Sequence, residues 1–302
     1  MNPTLVISLL LGYFAVLMGV SLLQKADGAG NEAFFRGNRR SPWFVVSIGM
    51  IGASLSGVTF SGATYAIGVS GRNVCISNCV VRNCVNSGPS STAPVCLVGE
   101  GCLVTHCVIT NNSNGPSYMD YSDWRGAGGL YINNGVVADS LIAGNKMTAA
   151  YGDATNDRNR QAGGVALGGG AKMVNCTVVN NYSNAKKTPV GGVKAGSGEI
   201  VNSLISRNTV GEYGDTSCAN VMPSDESLFV SCVVTDDTDV FENYAQGLDG
   251  PSSDARVFDA GQDRADAPAK DLAGADRIQG AAIDIGCYER DPSKFTASIA
   301  CE

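Results

Sequence analysis

Apolar and polar positions recur together through the middle of the chain, in six copies of one short pattern. Each copy has a cysteine or serine at its centre, an apolar residue three positions earlier, a small polar residue or histidine directly before the centre, and a β-branched residue two positions after it. Spacings of 27 to 36 residues separate the six centres, which are Cys79, Cys107, Ser140, Cys176, Ser203 and Cys232. A sequence repeat of this length is typical of a solenoid protein.

Each copy predicts a short β-strand. A centre and the residue two positions later project to the same face of an extended chain, and the β-branched residues favour a strand over a helix. When copies stack in parallel, equivalent positions form columns of like side chains. The column three positions before the centre is Ile76, Val104, Val137, Met173, Ile200 and Phe229, and the column two positions after it is Val81, Ile109, Ile142, Val178, Ile205 and Val234.

A third column marks a corner of the predicted solenoid. Five positions after the centres the chain carries Cys84, Asn112, Asn145, Asn181, Asn208 and Asp237. Because asparagine tolerates a left-handed backbone and its amide can bond to its own copy one repeat away, we expect this column to form a repeated bend. The sequence therefore predicts an all-β fold, a right-handed parallel β-helix of about six rungs over residues 71–240. A β-propeller fits less well, because each blade needs about 40 residues.

Two uncharged stretches precede the repeats. The residues before Lys25 carry no charge and are long enough to cross a hydrocarbon layer of about 30 Å, whereas the stretch 41–71 is rich in glycine and serine and needs closely packed helical neighbours. We predict membrane helices at about 4–24 and 42–66; a cleaved signal peptide is the alternative for the first, although it lacks a positive n-region. The connection between the two predicted helices contains Arg36, Arg39 and Arg40. Because positively charged loops tend to stay in the cytoplasm, we expect this connection to be cytoplasmic and the β-helix to lie outside.

The first of these halves carries a specific resemblance. The runs FFRGNRRSPW at 34–43 and GMIGASLSGVTF at 49–60 resemble the start of a bacterial sodium/solute symporter, and the likeness covers residues 1–62. It implies that the backbone near Gly57 and Phe60 would help to hold sodium in a complete transporter. Two helices cannot enclose a polar path through lipid, so we expect no transport by this chain alone. A truncated or misjoined symporter fragment is therefore one interpretation of this half.

The C-terminal end carries a second resemblance. Its motifs are Phe258-Asp259-Ala260-Gly261, the run from Asp271 to Gly280, and the run from Ala282 to Glu289. They resemble the closing segment of bacterial surface β-helix proteins of the choice-of-anchor Q type. The resemblance spans residues 73–289 and implies an extracytoplasmic right-handed β-helix, with a closing segment at 241–289 and a tail at 290–302. We expect anchoring to come from the N-terminal helices.

Charge excludes one class of partner. The whole chain has a net charge of −7, and the part after residue 70 has 17 basic and 26 acidic side chains, a net charge of −9. Such a surface repels polyanions, so nucleic acid is not an expected partner.

The eleven cysteines predict buried thiols more than a metal or disulfide framework. Cysteine alternates with serine in the column of centres, which zinc ligands and half-cystines would not permit. A disulfide such as Cys75 with Cys102, and a zinc site, stay open as alternatives. His106 is the only histidine, so no catalytic pair with a spare imidazole can form, and we expect it to be structural.

Function is expected in the two longest insertions between repeats, because insertions on a solenoid leave from one corner and lie side by side. Sugar rings stack on aromatic side chains while carboxylate and guanidinium groups bind hydroxyls. The predicted ligand-binding residues are Tyr118, Tyr121, Trp124, Arg125, Tyr151 and Asp153. Simple solvated loops are the alternative.

Two functions remain open from the sequence. The first is a membrane-tethered surface scaffold that binds glycans or mediates adhesion, without a cofactor and without catalysis. The second is a polysaccharide lyase or hydrolase, for which Asp153, Asp157 and Arg158 are the weak catalytic candidates, with calcium required for a lyase.

Overall fold

The computed structural model describes residues 67–86, 93–115, 126–148, 162–184, 189–211, 219–222, 228–242, 251–264 and 268–291. Over these ranges the chain is all-β, without an α-helix, and none of it forms an apolar helix of membrane-spanning length. The predicted membrane helices at 4–24 and 42–66 lie outside the described ranges, as do Gly57 and Phe60.

Six rungs follow one another along the chain, as the repeat predicts. The first has β1 (Ile67–Ser70), β2 (Cys75–Ser77), β3 (Val80–Arg82) and β4 (Val85–Asn86). The second has β5 (Val95–Thr105), β6 (Val108–Thr110) and β7 (Ser113–Asn114), and the third β8 (Leu130–Ala138), β9 (Leu141–Ala143) and β10 (Lys146–Met147). The fourth has β11 (Val165–Gly168), β12 (Lys172–Val174), β13 (Thr177–Val179) and β14 (Tyr182–Ser183). The last two are β15 (Val193–Ala195), β16 (Glu199–Val201), β17 (Leu204–Ser206) and β18 (Thr209–Val210), then β19 (Val221–Met222), β20 (Phe229–Val230) and β21 (Val233–Thr235).

The strands form three parallel sheets, named A, B and C in the order in which each rung visits them. Sheet A runs as two lines that share β5 and β8: one is β1, β5, β8, β11, β15 and β19, and the other is β2, β5, β8, β12, β16 and β20. Sheet B is β3, β6, β9, β13, β17 and β21, and sheet C is β4, β7, β10, β14 and β18. Stacked parallel sheets visited in turn are the architecture of a parallel β-helix.

The predicted register is confirmed residue for residue in two columns. From Ile76 to Phe229, each member of the column three positions before the centre pairs with its copy in the next rung of sheet A. From Val81 to Val234, the column two positions after the centre does the same in sheet B. All members of both columns except Val234 pack in a single hydrophobic core between the sheets.

Cysteine and serine can replace each other in the column of centres because both make the same hydrogen bond there. Every member donates its side-chain hydrogen to the carbonyl oxygen two residues earlier, at 3.2–3.4 Å for the four thiols and 2.7–2.8 Å for the two hydroxyls. All nine cysteines in the described ranges are free, including Cys75 and Cys102. The Cys102 thiol donates to the Gly71 carbonyl at 3.2 Å instead, so the Cys75–Cys102 disulfide that the sequence left open is absent.

The expected left-handed corner at the asparagine column is wrong. Positive φ angles occur one position before the centres, at Asn78, His106, Asp139, Asn175, Asn202 and Ser231, and four positions after them, at Asn83, Asn111, Gly144, Asn180 and Arg207. His106 thus occupies a bend, with its Nε2 3.0 Å from the Lys270 carbonyl oxygen. Each sheet B strand is therefore preceded and followed by a bend of the backbone. The second bend lies one residue before the asparagine column.

The asparagine column instead forms a buried ladder. The Nδ2 of each asparagine lies 2.9 Å from the Oδ1 of the next, along Asn112, Asn145, Asn181 and Asn208. Each of these Oδ1 atoms also accepts a backbone N–H from the preceding rung at 2.9–3.1 Å. Asp237 does not continue the ladder as predicted: Asn220 takes that place at 3.0 Å from Asn208, while Asp237 pairs with Arg256 at 2.6 Å.

A closing segment, residues 251–264 and 268–291, covers one side of the solenoid. Its Val257, Ile285 and Cys287 pack on the outward face of sheet B, against Leu141, Ala143, Val179 and Leu204. It also follows the bend before the centres, where Asn202 exchanges hydrogen bonds with the backbone of Gln262 at 2.8 and 2.9 Å. The closing segment therefore closes the edge between sheets A and B.

Candidate functional site

Five insertions leave the solenoid at one corner, here called the insertion corner, where each rung passes from sheet C to sheet A of the next rung. Segments 87–92, 116–125, 149–161, 185–188 and 212–218 each join a sheet C strand to a sheet A strand. On the departing side, the residues that precede these segments are hydrogen-bonded through the backbone from rung to rung at 2.8–2.9 Å, from Gly115 to Asn86, Thr148 to Asn114, Asn184 to Met147, and Gly211 to Ser183. The prediction that neighbouring insertions leave side by side is confirmed for these flanking residues.

The returning side of the insertion corner uses a motif that the sequence reasoning missed. An apolar residue followed by two glycines occurs at 127–129, 162–164 and 190–192, and Ala127, Ala162 and Val190 pair in parallel across rungs. A Cβ on Gly163 would lie 2.4 Å from the Gly191 carbonyl oxygen and 2.6 Å from that of Tyr182. Side chains are therefore excluded where the chain re-enters the rod, and the spacing of the glycine pairs is the signal that could have revealed this.

The sequence-predicted site residues belong to the two longest insertions and lie outside the described ranges. Segment 116–125 contains Tyr118, Tyr121, Trp124 and Arg125, and segment 149–161 contains Tyr151, Asp153, Asp157 and Arg158. The structure shows that the residues flanking these two segments are neighbours, since the Thr148 N–H donates to the Asn114 carbonyl on one side and the Gly128 N–H to the Ala162 carbonyl on the other.

Two tyrosines occupy outward positions of strands beside the insertion corner, one buried and one half-buried. Tyr131 alternates with the inward Leu130 and Ile132 in β8, and its hydroxyl accepts a hydrogen bond from Asn133 Nδ2 at 3.0 Å. The ring packs in an apolar cluster with Ala93, Cys96, Ala127, Ala162 and Ala166. On sheet C, the half-buried Tyr182 stands next to Lys146. Both tyrosines were missed because they lie outside the insertions, although each occupies an outward position of its strand.

The opposite side of the rod holds a buried charged group that serves the fold. Arg277 binds Asp139 of the third rung through Nε at 2.7 Å, and Glu289 through Nη1 at 2.8 Å. Burial raises the pKa of Glu289 to about 8 and that of Asp284 to about 6, and it raises the pKa of Asp139 despite the attraction of Arg277. Burial also lowers the pKa of Arg277, but its carboxylate partners outweigh this and leave it raised. These groups hold the closing segment in place and do not form an open site.

Several buried cysteines of the described ranges have the character of structural thiols. Burial raises the pKa of Cys107 and Cys232 to about 11 and that of Cys287 to about 12, so these thiols stay protonated and unreactive at neutral pH. In the described ranges no three His, Cys, Asp or Glu side chains are grouped to hold a metal ion.

Comparison with protein-family models, with characterised proteins and with solved structures finds no match to this chain. A fold alone does not define a function, so a functional proposal has to be argued from particular side chains.

Proposed function

We propose that this protein is a membrane-tethered, outward-facing β-helix that binds glycans at its insertion corner and catalyses no reaction. The observation that carries the proposal is the rung-to-rung hydrogen bonding of the residues flanking segments 116–125 and 149–161. Two insertions that contain aromatic, carboxylate and guanidinium side chains are thereby anchored about one strand spacing, roughly 5 Å, apart.

The two sides of the solenoid differ in a way that supports this proposal. The closing segment packs on the outward face of sheet B and along the bend between sheets A and B. The insertions leave at the other corner, between sheets C and A. Binding residues on solenoids concentrate on the face from which insertions leave, so the insertion corner is the side available to a partner.

The chemistry of the insertion corner suits a sugar polymer. Tyr118, Tyr121 and Trp124 supply aromatic rings, Arg125 and Asp153 supply hydroxyl-binding groups, and all five belong to adjacent insertions. Aromatic rings with a few polar groups are the usual composition of carbohydrate sites. An extended row of rungs, with a repeat of about 4.8 Å, offers an extended ligand several equivalent positions.

The resemblance to surface proteins of the choice-of-anchor Q type supports an extracytoplasmic location. The predicted N-terminal helices would supply the tether, with Arg36, Arg39 and Arg40 on the cytoplasmic side. A net charge of −9 after residue 70 is consistent with a neutral or basic glycan and disfavours nucleic acid.

Binding of the full chain, in detergent micelles, to a panel of immobilised polysaccharides tests the proposal. We expect Tyr121→Ala with Trp124→Ala to weaken binding at least tenfold, since each stacked ring contributes about 1 kcal/mol. Ile278→Ala, which truncates an exposed side chain of the closing segment, is the control and should bind normally. Equal binding by both variants would place the site elsewhere. Cleavage of a uronic acid polymer that Asp153→Ala and Asp157→Ala abolish would replace the proposal with a catalytic function.

A further inference from the structure

The two ends of the solenoid leave strand edges unpaired among the described residues. The first-rung strands β1 to β4 pair only with the second rung, and β19, β20 and β21 pair only with the fifth. Core positions are partly exposed at both ends: Ile76, Cys79 and Cys84 at the first rung, and Phe229, Cys232 and Val234 at the last. Val234 is 44% exposed, whereas its column neighbour Ile205 is fully buried. Unpaired parallel edges with apolar side chains are templates for a further strand.

The core side chains of the first and last rungs correspond to one another column by column. If a last rung stacked below a first rung as neighbouring rungs do within the chain, Phe229 would lie next to Ile76, Cys232 next to Cys79, and Val234 next to Val81. The same three columns already join every pair of rungs inside the solenoid. The core columns could therefore continue across such a junction without a change of residue type.

Charge distinguishes the two ends and favours this one arrangement. Residues 67–86 carry two arginines and no acid, whereas residues 228–242 carry four acids and no base. Arg82 belongs to the column that ends at Thr235, so a stacked first rung would place its guanidinium beside Asp236 and Asp237. Part of this charge is already paired within the chain: Arg256 binds Asp237 and Asp239, Arg290 lies 3.2 Å from Glu242, and Arg72 lies 3.5 Å from Glu100. Counting Arg256 and Arg290, the last end keeps a net negative charge and the first end a net positive one. The remaining difference still opposes contact between like ends.

We propose that copies of this protein associate head to tail, the last rung of one copy docking on the first rung of the next with the parallel register continued. The contact uses two different surfaces of the chain, so it is not closed by two-fold symmetry and can extend to more than two copies. This association goes beyond glycan binding and does not depend on it. It would bring the insertion corners of successive copies into one row.

Sedimentation velocity of the full chain in detergent micelles, over a range of protein concentrations, tests the association. We expect the wild-type chain to form species larger than one copy as concentration rises, and Arg82→Glu to weaken this about tenfold by turning an attraction into a repulsion. Lys146→Glu is the matched control, because it makes the same charge change on an exposed residue of the third rung, away from both ends. It should associate like the wild type.

A second substitution separates a specific contact from a general effect of charge. Thr235→Lys combined with Arg82→Glu places opposite charges across the junction, because Thr235 ends the column to which Arg82 belongs. The double variant should therefore recover most of the lost association. A single-copy wild-type chain at every concentration would overturn the proposal. So would equal association of Arg82→Glu and Lys146→Glu, which would assign the contact to the membrane helices, and so would failure of the double variant to recover association while its circular dichroism matches that of the wild type.

Discussion

The Arg277 guanidinium binds the Asp139 carboxylate across 138 positions of sequence, in an ion pair that is almost fully buried. Asp139 occupies the left-handed bend of the third rung, and Arg277 belongs to the closing segment. This pair joins the repeated part of the fold to the part that does not repeat. The side chain of Glu289, the second partner of the guanidinium group, is buried as well, so Arg277 contacts two buried carboxyl groups at once.

Replacing Arg277 with methionine should destabilise the protein by about 3 to 5 kcal/mol, because it leaves the buried Asp139 carboxylate without its cation and the Glu289 carboxyl group without its hydrogen-bond donor. Urea unfolding followed by circular dichroism measures the change. Lys270→Met removes an exposed pair with Asp276 in the same segment and should change stability by less than about 1 kcal/mol. Similar losses for the two variants would show that the buried pair does not hold the closing segment.

Stability should fall as the pH rises from about 4.5 to 8. The pKa values of Glu289, about 8, and Asp284, about 6, lie above those of exposed carboxyl groups because both side chains are buried. In this window the folded chain keeps protons that the unfolded chain has released, so raising the pH favours unfolding. Thermal unfolding midpoints measured at half-unit intervals should show the decline.

Glu289→Gln isolates the contribution of this carboxyl group to the pH dependence. Its midpoints should decline less than those of the wild type between pH 4.5 and 8, because glutamine does not titrate. Exposed acids such as Asp254, whose pKa Arg256 lowers to about 2, act at lower pH and are common to both proteins. Parallel curves for the two proteins would assign the pH dependence to other groups.

The columns were predictable from the sequence because parallel stacking places like residues directly over one another. Val104 and Val137 can be recognised as equivalent positions, although they lie 33 residues apart, because both face the same core. The bends were harder, because left-handed backbone is compatible with asparagine but also occurs here at His106 and Arg207, where packing imposes it. A repeat shows which positions are equivalent, and it leaves open which of two adjacent polar columns turns the chain.

The contacts of the closing segment and the end of the asparagine ladder could not be predicted from the repeat. Arg277 and Asp139 belong to no shared pattern, so nothing local pairs them. Asn220 replaces Asp237 in the ladder because it precedes β19 and reaches Asn208 from the next rung. The flanks of the insertion corner could be anticipated from repeat spacing. The burial of Tyr131 could not, because its apolar neighbours come from three different rungs.

Asn145→Ala should cost roughly 3 kcal/mol, because the buried ladder then loses both an acceptor and a donor. Asn145 Oδ1 accepts the backbone N–H of Asn112 at 3.1 Å, and its Nδ2 donates to the Ile109 carbonyl at 2.9 Å. Asn133→Ala, in the outward face of β8, is the control and should cost less than about 1 kcal/mol. Chemical unfolding distinguishes the two, and equal losses would deny the ladder a special role.

Cys176→Ser should be tolerated within about 1 kcal/mol, because serine makes the same hydrogen bond two residues back at Ser140 and Ser203. Ser203→Ala should cost about 1 to 2 kcal/mol, since it leaves the Cys176 N–H without its acceptor. Thermal unfolding in a reducing buffer compares the two variants. A larger loss for Cys176→Ser than for Ser203→Ala would contradict the view that both residue types serve one hydrogen-bonding role.

Gly163→Ala should disrupt the insertion corner, because its Cβ would meet two carbonyl oxygens at 2.4 and 2.6 Å. Both belong to backbone held in parallel ladders, so neither can withdraw without breaking rung-to-rung hydrogen bonds, and a loss of about 3 kcal/mol or more follows. Gly196→Ala is the matched control: a Cβ there meets nothing within 4 Å, so stability should be unchanged or slightly raised. If Gly163→Ala keeps wild-type stability and glycan binding, the close approach of rungs at the insertion corner is not required for either.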